Sequence, residues 1–190
     1  MKLFFDTETS GKADFKKPAN DPCQPRLVQL AAILTDNSGE EISAVNLLIK
    51  PDGFVIDAGA EAIHNITTAF ATAHGMPVRA AVGIFVHMAR CAESLHAYNS
   101  DFDRIIMENE ISRIPSMPNP FSELTTKVLC EMKVMTDICK IPGQFGRYKW
   151  PSLTESHLHC FGMEFANAHD ALGDVRAMIA VHKWRMAQPL

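Results

Sequence analysis

The chain has no apolar run approaching the roughly 20 residues needed to cross a bilayer, so no membrane-spanning helix is expected within it. Cysteine is sparse: Cys23, Cys91, Cys130, Cys139 and Cys160 are an odd set without a CxxC pair. That argues against a disulfide framework and a cysteine-rich zinc site, and fits a reducing, cytoplasmic setting. A basic excess is also missing, since 18 Lys and Arg face 22 Asp and Glu for a formal net charge of −4. A protein binding nucleic acid mainly by neutralising phosphates carries such an excess. If this chain handles nucleic acid, the positive charge comes from bound cations or from a local patch. The best local candidate is Arg147-Tyr148-Lys149-Trp150, two cations alternating with two aromatic rings. There is no internal repeat, low-complexity linker, GxSxG string or P-loop. The 190 residues, 47% hydrophobic and 21% charged, read as one ordinary globular domain, 1–190. The start, MKLFFDTETS, reaches acidic residues at once, so no cleaved leader is expected.

What is present begins with strands. LFFDTET reads as a buried strand, and residues 27–35 and 43–49 as two more, with the turn signal DNSGEE making an antiparallel hairpin. Pro77 is placed as a first helical residue, followed by Val78, Val82, Phe85 and Ala89 at one-face spacing. Glu93–Asn99 reads as a fourth strand and Phe102–Ile111 as a helix. Residues 114–121, with three prolines, read as an irregular excursion. The stretch 128–139 is ambiguous, Pro151–Cys160 reads as a short helix, and 170–187 is the clearest helix, with Leu172, Val175, Ile179, His182 and Met186 on one stripe. This order predicts an α/β class, a mixed β-sheet flanked by α-helices.

Three acidic clusters stand out. Asp6 and Glu8 are two apart on a strand and so share a face. Two carboxylates held together repel, and a divalent cation is one compensation, because hard oxygen ligands suit Mg²⁺ and Mn²⁺; a solvated strand end is the other. The second cluster, Asn99-Ser100-Asp101-Phe102-Asp103, lies at a strand-to-helix junction, where acidic residues are also common for macrodipole reasons. Asp101 precedes the apolar Phe102 and is expected to cap the helix. The third, His169-Asp170-Ala171-Leu172-Gly173-Asp174, enters the last helix. His169 and Asp174 converge if His169 lies on the lead-in, Asp170 near the cap and Asp174 a turn inside; alone, the segment reads equally as an Asp-capped helix with an incidental histidine. Joined, the clusters describe a two-metal phosphodiesterase: carboxylates hold two cations that clamp the attacking and leaving oxygens of an in-line displacement. A histidine takes a proton from the attacking water near neutrality.

In this order the motifs FDTETSG, YNSDFD and HDALGD closely resemble those of the DEDDh branch of the DnaQ-like 3′→5′ exonuclease superfamily. Ile63-His64-Asn65-Ile66-Thr67 resembles that family's HGIT string, with Asn65 where glycine is usual, and KWPSLTESHLHCFG resembles the helix before its third motif. The resemblance implies a ribonuclease-H-like fold. It also implies Asp6, Glu8, Asp103 and Asp174 as ligands of two divalent ions, Mg²⁺ or Mn²⁺, with His169 as general base. Thr7, Thr9 and His64 would cradle the terminal nucleotide, although His64 reads equally as a capping or core histidine. Asn99 would orient the second motif or a substrate phosphate. The long segment 11–26 looks more like bacteriophage-type members than like the replicative proofreading subunit.

The resulting expectation is hydrolysis from the 3′ end of DNA, single-stranded or frayed, with a free 3′ end of nucleic acid as partner, no membrane, and any polymerase partner unspecified. An exoribonuclease of the tRNA-trimming or oligoribonuclease kind is the close alternative, separated by recognition of a 2′-hydroxyl. A catalytically inactive nucleic-acid-binding module on the same fold is the alternative of another class. A zinc hydrolase is weakened by the lack of clustered His and Cys ligands.

Overall fold

The computed structural model describes residues 1–18, 20–123, 128–165 and 170–188. A five-stranded sheet in the order β3-β2-β1-β4-β5 forms its centre. The strands are β1 (Lys2–Thr9), β2 (Leu27–Thr35), β3 (Glu41–Leu48), β4 (Ser94–Ala97) and β5 (Val128–Cys130). β1 pairs antiparallel with β2, and β2 with β3, whereas β4 runs parallel to β1 and β5 parallel to β4. The helices are α1 (Ala58–His64), α2 (Thr68–His74), α3 (Val78–Cys91), α4 (Ser100–Ser112), α5 (Pro120–Glu123), α6 (Glu131–Cys139), α7 (Leu153–Phe161) and α8 (Ala171–Met186). Among the described residues no helix is long and apolar enough to cross a membrane.

The alternation of β1 decides what each face does. Leu3 and Phe5 point into a core with Val82, Phe85 and Ala89 of α3 and Ile106 and Met107 of α4. Phe4 points the other way, against Val175, Met178 and Ile179 of α8. Burying side chains of this size is worth roughly 1.5–3 kcal/mol each, so a one-residue slip of β1 would forfeit both faces at once. The same alternation carries Asp6 and Glu8 onto the α8 face. A smaller cluster of Val28, Ile56, Ile66 and Ala71 seats α1 and α2.

Several sequence expectations change in detail. Pro77 is the N-cap of α3, with extended ψ of 133°, rather than its first helical residue. The fourth strand is shorter than Glu93–Asn99, because its parallel pairing with β1 ends at Phe4 and His96. The short helices α1 and α2 were not anticipated, and the ambiguous stretch resolves into β5 and α6. Met186 is exposed, so the apolar stripe of α8 stops a turn early. The long segment 11–26 folds back on itself around the Gln24 amide, which donates to the carbonyls of Asp14, Lys17 and Pro18. It is clasped to α4 by a bidentate Arg26–Glu110 pair at 2.6 and 3.0 Å, and Leu27 N–H donates to the same carboxylate.

Candidate active site

Asp6 and Glu8 close the C-terminal half of β1, on the face that α8 covers. The start of α8 is set by Asp170, the N-cap, whose side chain accepts from Gly173 N–H at 3.1 Å. Asp174 follows one turn inside, its N–H bonded to the Asp170 carbonyl at 2.9 Å. This geometry aims Asp174 back over β1, and one carboxylate oxygen each from Asp6, Glu8 and Asp174 lies within 4.8 Å of the other two. His169, expected on the lead-in to this helix, lies outside the described residues.

Asp103 arrives from the opposite layer. Once β4 stops pairing, the edge of β1 is open, and Asp103 in the first turn of α4 fills it. Its Oδ1 accepts from Thr7 N–H at 3.0 Å and from Thr7 Oγ1 at 2.8 Å. Asp103 is only 3% exposed, and the contact fixes its carboxylate in the cleft that Asp6, Glu8 and Asp174 also line. Asp101 does not do what the sequence suggested. The N-cap of α4 is Asn99, without a side-chain capping bond, while Asp101 sits inside the first turn, exposed and ion-paired to Lys133 at 2.7 Å. The cause is that α4 begins at Ser100, two residues ahead of the Phe102 anchor.

The electrostatics of this cluster are those of crowded acids. Burial, followed by the charges of Asp103, Glu8 and Asp174, holds Asp6 well above the usual carboxylate range. Burial and then Asp174, Asp103 and Asp170 push Glu8 up to about 8. Burial raises Asp103 to about 7 even though its bonds from Thr7 pull the other way.

Two clefts meet at Thr7, Glu8 and Phe102. One, of about 440 Å³, contains Asp6, Asp103 and Asp174 with Asn99, Tyr98 and Leu153 on its walls. The other, of about 670 Å³, is bounded by Thr9, Gly11, Lys12 and the α1 residues Ile63 and His64. Thr9 Oγ1 donates to the Gly11 carbonyl at 2.7 Å, turning the chain out of β1. His64 is buried, its Nδ1 accepting from Ile66 N–H at 3.1 Å, which leaves Nε2 to donate to the Thr9 carbonyl at 3.2 Å. Both nitrogens are therefore used within the protein, burial lowers the pKa, and only the neutral ring faces the cleft. Asn65 caps α1 with φ 60° and ψ 20°. Asparagine is the residue that most readily replaces glycine in this left-handed conformation, so the departure from the HGIT string leaves the backbone turn intact.

No local pattern announces a second grouping, His96, Glu131 and His182, all buried. Both histidine Nδ1 atoms lie 2.8 Å from Glu131 Oε1, and the Arg185 guanidinium lies 3.5 Å from Oε2. With a cation already supplied by Arg185, this is a structural tie between β4, α6 and α8. Burial alone would raise Glu131, but hydrogen bonds from His182 and His96 outweigh it and hold the group at about 2.

Among curated proteins none matches the chain. Solved structures do. An exonuclease I structure superposes with a TM-score of 0.78 at 26% identity over 98% of this chain and 41% of that one. E. coli exonuclease I in complex with a dT13 oligonucleotide gives the same values. The zinc-ion-bound E. coli exonuclease I–ssDNA complex gives 0.77 at 27% identity over 99% and 41%. The chain thus spans 41% of the exonuclease I chains it resembles, and its mixed sheet flanked by helices shares their ribonuclease-H-like fold. The family model described as exonuclease, RNase_T, matches residues 3–182. The resemblance to DnaQ-like exonucleases is borne out, and the chain belongs to the RNase_T exonuclease family.

Proposed function

We propose that residues 1–190 form one exonuclease domain of the DEDDh type, which removes nucleotides from the 3′ end of single-stranded or frayed DNA with the help of divalent metal ions. The observation that carries this reading is the convergence of Asp6, Glu8 and Asp174 within 4.8 Å, with Asp103 on the same cleft wall.

The donor set fits divalent cations. All four groups offer hard oxygen, which Mg²⁺ and Mn²⁺ prefer over the sulfur and imidazole that select zinc. Three of them are driven above the ordinary carboxylate range by burial and mutual charge, a cost that a bound cation removes. Asp6, Glu8, Asp103 and Asp174 would hold two such ions, which when bound supply positive charge for the attacking and leaving oxygens of the phosphodiester.

The chain's own residues do the rest. His169, one residue before the Asp170 cap, is the general base that takes a proton from the attacking water. The Thr7 N–H and hydroxyl hold Asp103 in register with β1. Thr9 and His64 shape the 670 Å³ cleft, where the terminal nucleotide sits, and His64 presents ring surface rather than a proton donor. Phe102, shared by both clefts, stands where the scissile linkage crosses from one to the other, and Asn99 orients a phosphate on the carboxylate side. The dT13-bound exonuclease I structure favours single-stranded DNA over RNA as the substrate of this chain.

Matched 5′-labelled DNA and RNA oligonucleotides, incubated with Mg²⁺ or Mn²⁺ and with EDTA, test the proposal. A ladder shortening from the 3′ end, faster on DNA and silent in EDTA, is expected. Internal cuts or undiminished cleavage in EDTA would overturn the mechanism, and a faster RNA ladder would overturn the substrate.

A further inference from the structure

The α6–α7 connection carries three exposed aromatic rings that the exonuclease chemistry does not use. Phe145 is 96% exposed, Trp150 64% and Tyr148 48%. They ride on a small hairpin held by Gly143 N–H to the Arg147 carbonyl at 2.8 Å and Lys149 N–H to the Ile141 carbonyl at 3.0 Å, with a bridge between Pro142 and Tyr148. Phe145 at its tip has φ 55°, a backbone region that a bulky side chain rarely adopts. Leaving this much aromatic surface in water is unfavourable, and residues 142–150 are exposed throughout.

Charge identifies what would cover it. In a chain of net charge −4, residues 140–150 carry Lys140, Arg147 and Lys149 and no acid. Lys149 is paired with Glu155, while the Arg147 guanidinium has no ion-pair partner among the described residues. Tyr148 and Trp150 are two apart, a spacing that in extended chain puts both rings on one side and Arg147 and Lys149 on the other. Cations alternating with rings are what a single strand requires: a phosphate track beside a stacking surface for bases of any sequence.

The hairpin is also rooted in the carboxylate cleft. The Tyr98 hydroxyl lies 2.9 Å from the Pro151 carbonyl, 2.8 Å from that of Ser152 and 2.7 Å from Ser156 Oγ. Both Tyr98 and Leu153 line that cleft. Trp150 is three residues from Leu153, so their Cα atoms are at most about 11 Å apart. We infer that the 140–150 hairpin is a single-strand-binding platform, on which Tyr148, Trp150 and Phe145 stack bases upstream of the 3′-terminal nucleotide while Arg147 contacts a phosphate. The inference rests on the exonuclease reading for the direction of the strand, but not for the binding itself.

The chain has two tryptophans, Trp150 and Trp184, so Trp184→Phe leaves Trp150 as the sole indole reporter. In EDTA, where no turnover is expected, dT12 should quench that emission, and Trp150→Ala should weaken fluorescein-dT12 binding by roughly 5- to 150-fold, the value of one stacked base. Trp150→Phe should recover most of the loss, which separates stacking from misfolding. Arg147→Gln should reduce the slope of log Kd against log salt by about 1. Unquenched emission with unchanged affinity in Trp150→Ala would overturn the inference. So would concentration-dependent dimerisation that quenches Trp150 without DNA, because the patch would then face a second copy. Failure of the exonuclease reading would show separately, as absence of cleavage by the wild type in Mg²⁺ while quenching by dT12 persists.

Discussion

Replacing Asp103 by asparagine or by alanine separates its two roles, charge and hydrogen-bond acceptor. In the absence of metal its carboxyl is raised from 3.8 to about 7, with burial as the leading cause. A carboxyl raised in the folded state destabilises the fold at pH above both values and ceases to do so as pH falls toward the unfolded value. At about 1.4 kcal/mol per pH unit, the displacement corresponds to roughly 4 kcal/mol at pH 8. The repulsion is shared with Asp6, Glu8 and Asp174, which relax together when one charge goes, so the measured gain for Asp103→Asn should be on the order of 1–3 kcal/mol. For a chain of this size each kcal/mol moves Tm by about 2–4 °C. Asparagine keeps an oxygen for the Thr7 N–H and hydroxyl. Alanine removes it and leaves buried donors unpaired, at a cost of about 1–3 kcal/mol. Thermal melting in EDTA at pH 8 should therefore rank Asn above both wild type and Ala, and the advantage of Asn over wild type should shrink as pH falls from about 7 toward 4. Equal melting of Asn and Ala, or Asn below wild type at pH 8, would show that Asp103 is neither a destabilising charge nor the acceptor for Thr7.

Other substitutions probe other parts. His169→Ala should lower the hydrolysis rate by about 10²–10⁴ with an unchanged circular-dichroism melt, and wild-type turnover would assign the base elsewhere. Asp101→Ala removes only an exposed pair with Lys133, so urea unfolding should change by less than about 1 kcal/mol and single-turnover hydrolysis should persist; a dead enzyme would show that the wrong aspartate was assigned to the metal. Glu131→Gln breaks a buried charge pair and should cost about 3–5 kcal/mol by urea unfolding at pH 7. Glu131 is held at about 2 against an ordinary 4.5, so its contribution is present above the unfolded value and lost as pH falls through the folded one. The gap between wild type and Glu131→Gln should accordingly narrow between about pH 4.5 and 2, and a constant gap would contradict that charge assignment.

The sheet and its final helix were legible where local pattern and tertiary packing agree. β2 is a nearly continuous apolar run and β1 opens on one at Leu3–Phe5, because both faces of the sheet are covered there, and Asp36 to Glu40 make a turn that any hairpin would use. α1 and α2 were illegible because each has only seven residues and is seated by Ile56, Ile66 and Ala71, which show no helical repeat. β5 is three residues long and exists by virtue of its pairing with β4. At the site, strand alternation was enough to put Asp6 and Glu8 on one face, and the Asp170 cap was enough to put Asp174 a turn inside. The bond from Thr7 to Asp103 spans 96 residues, and no local pattern announces it. The same holds for the His64 clasp on Thr9 and for the buried Glu131 cluster, each made by residues that only the folded sheet brings together. Asp101 misled because its sequence position looks like a cap, while the N-cap is Asn99 and the helix begins two residues earlier than expected.

In the proposed mechanism the converging carboxylates hold the ions that support cleavage from the 3′ end. Its most direct test is a time course on a 5′-labelled single-stranded DNA in Mn²⁺ with wild type and Asp6→Asn side by side, together with titration of bound Mn²⁺ by electron paramagnetic resonance. Stepwise shortening from the 3′ end by the wild type is expected, with loss of both cleavage and high-affinity Mn²⁺ in Asp6→Asn. Undiminished shortening by Asp6→Asn, or cleavage by the wild type without bound Mn²⁺, would contradict that mechanism.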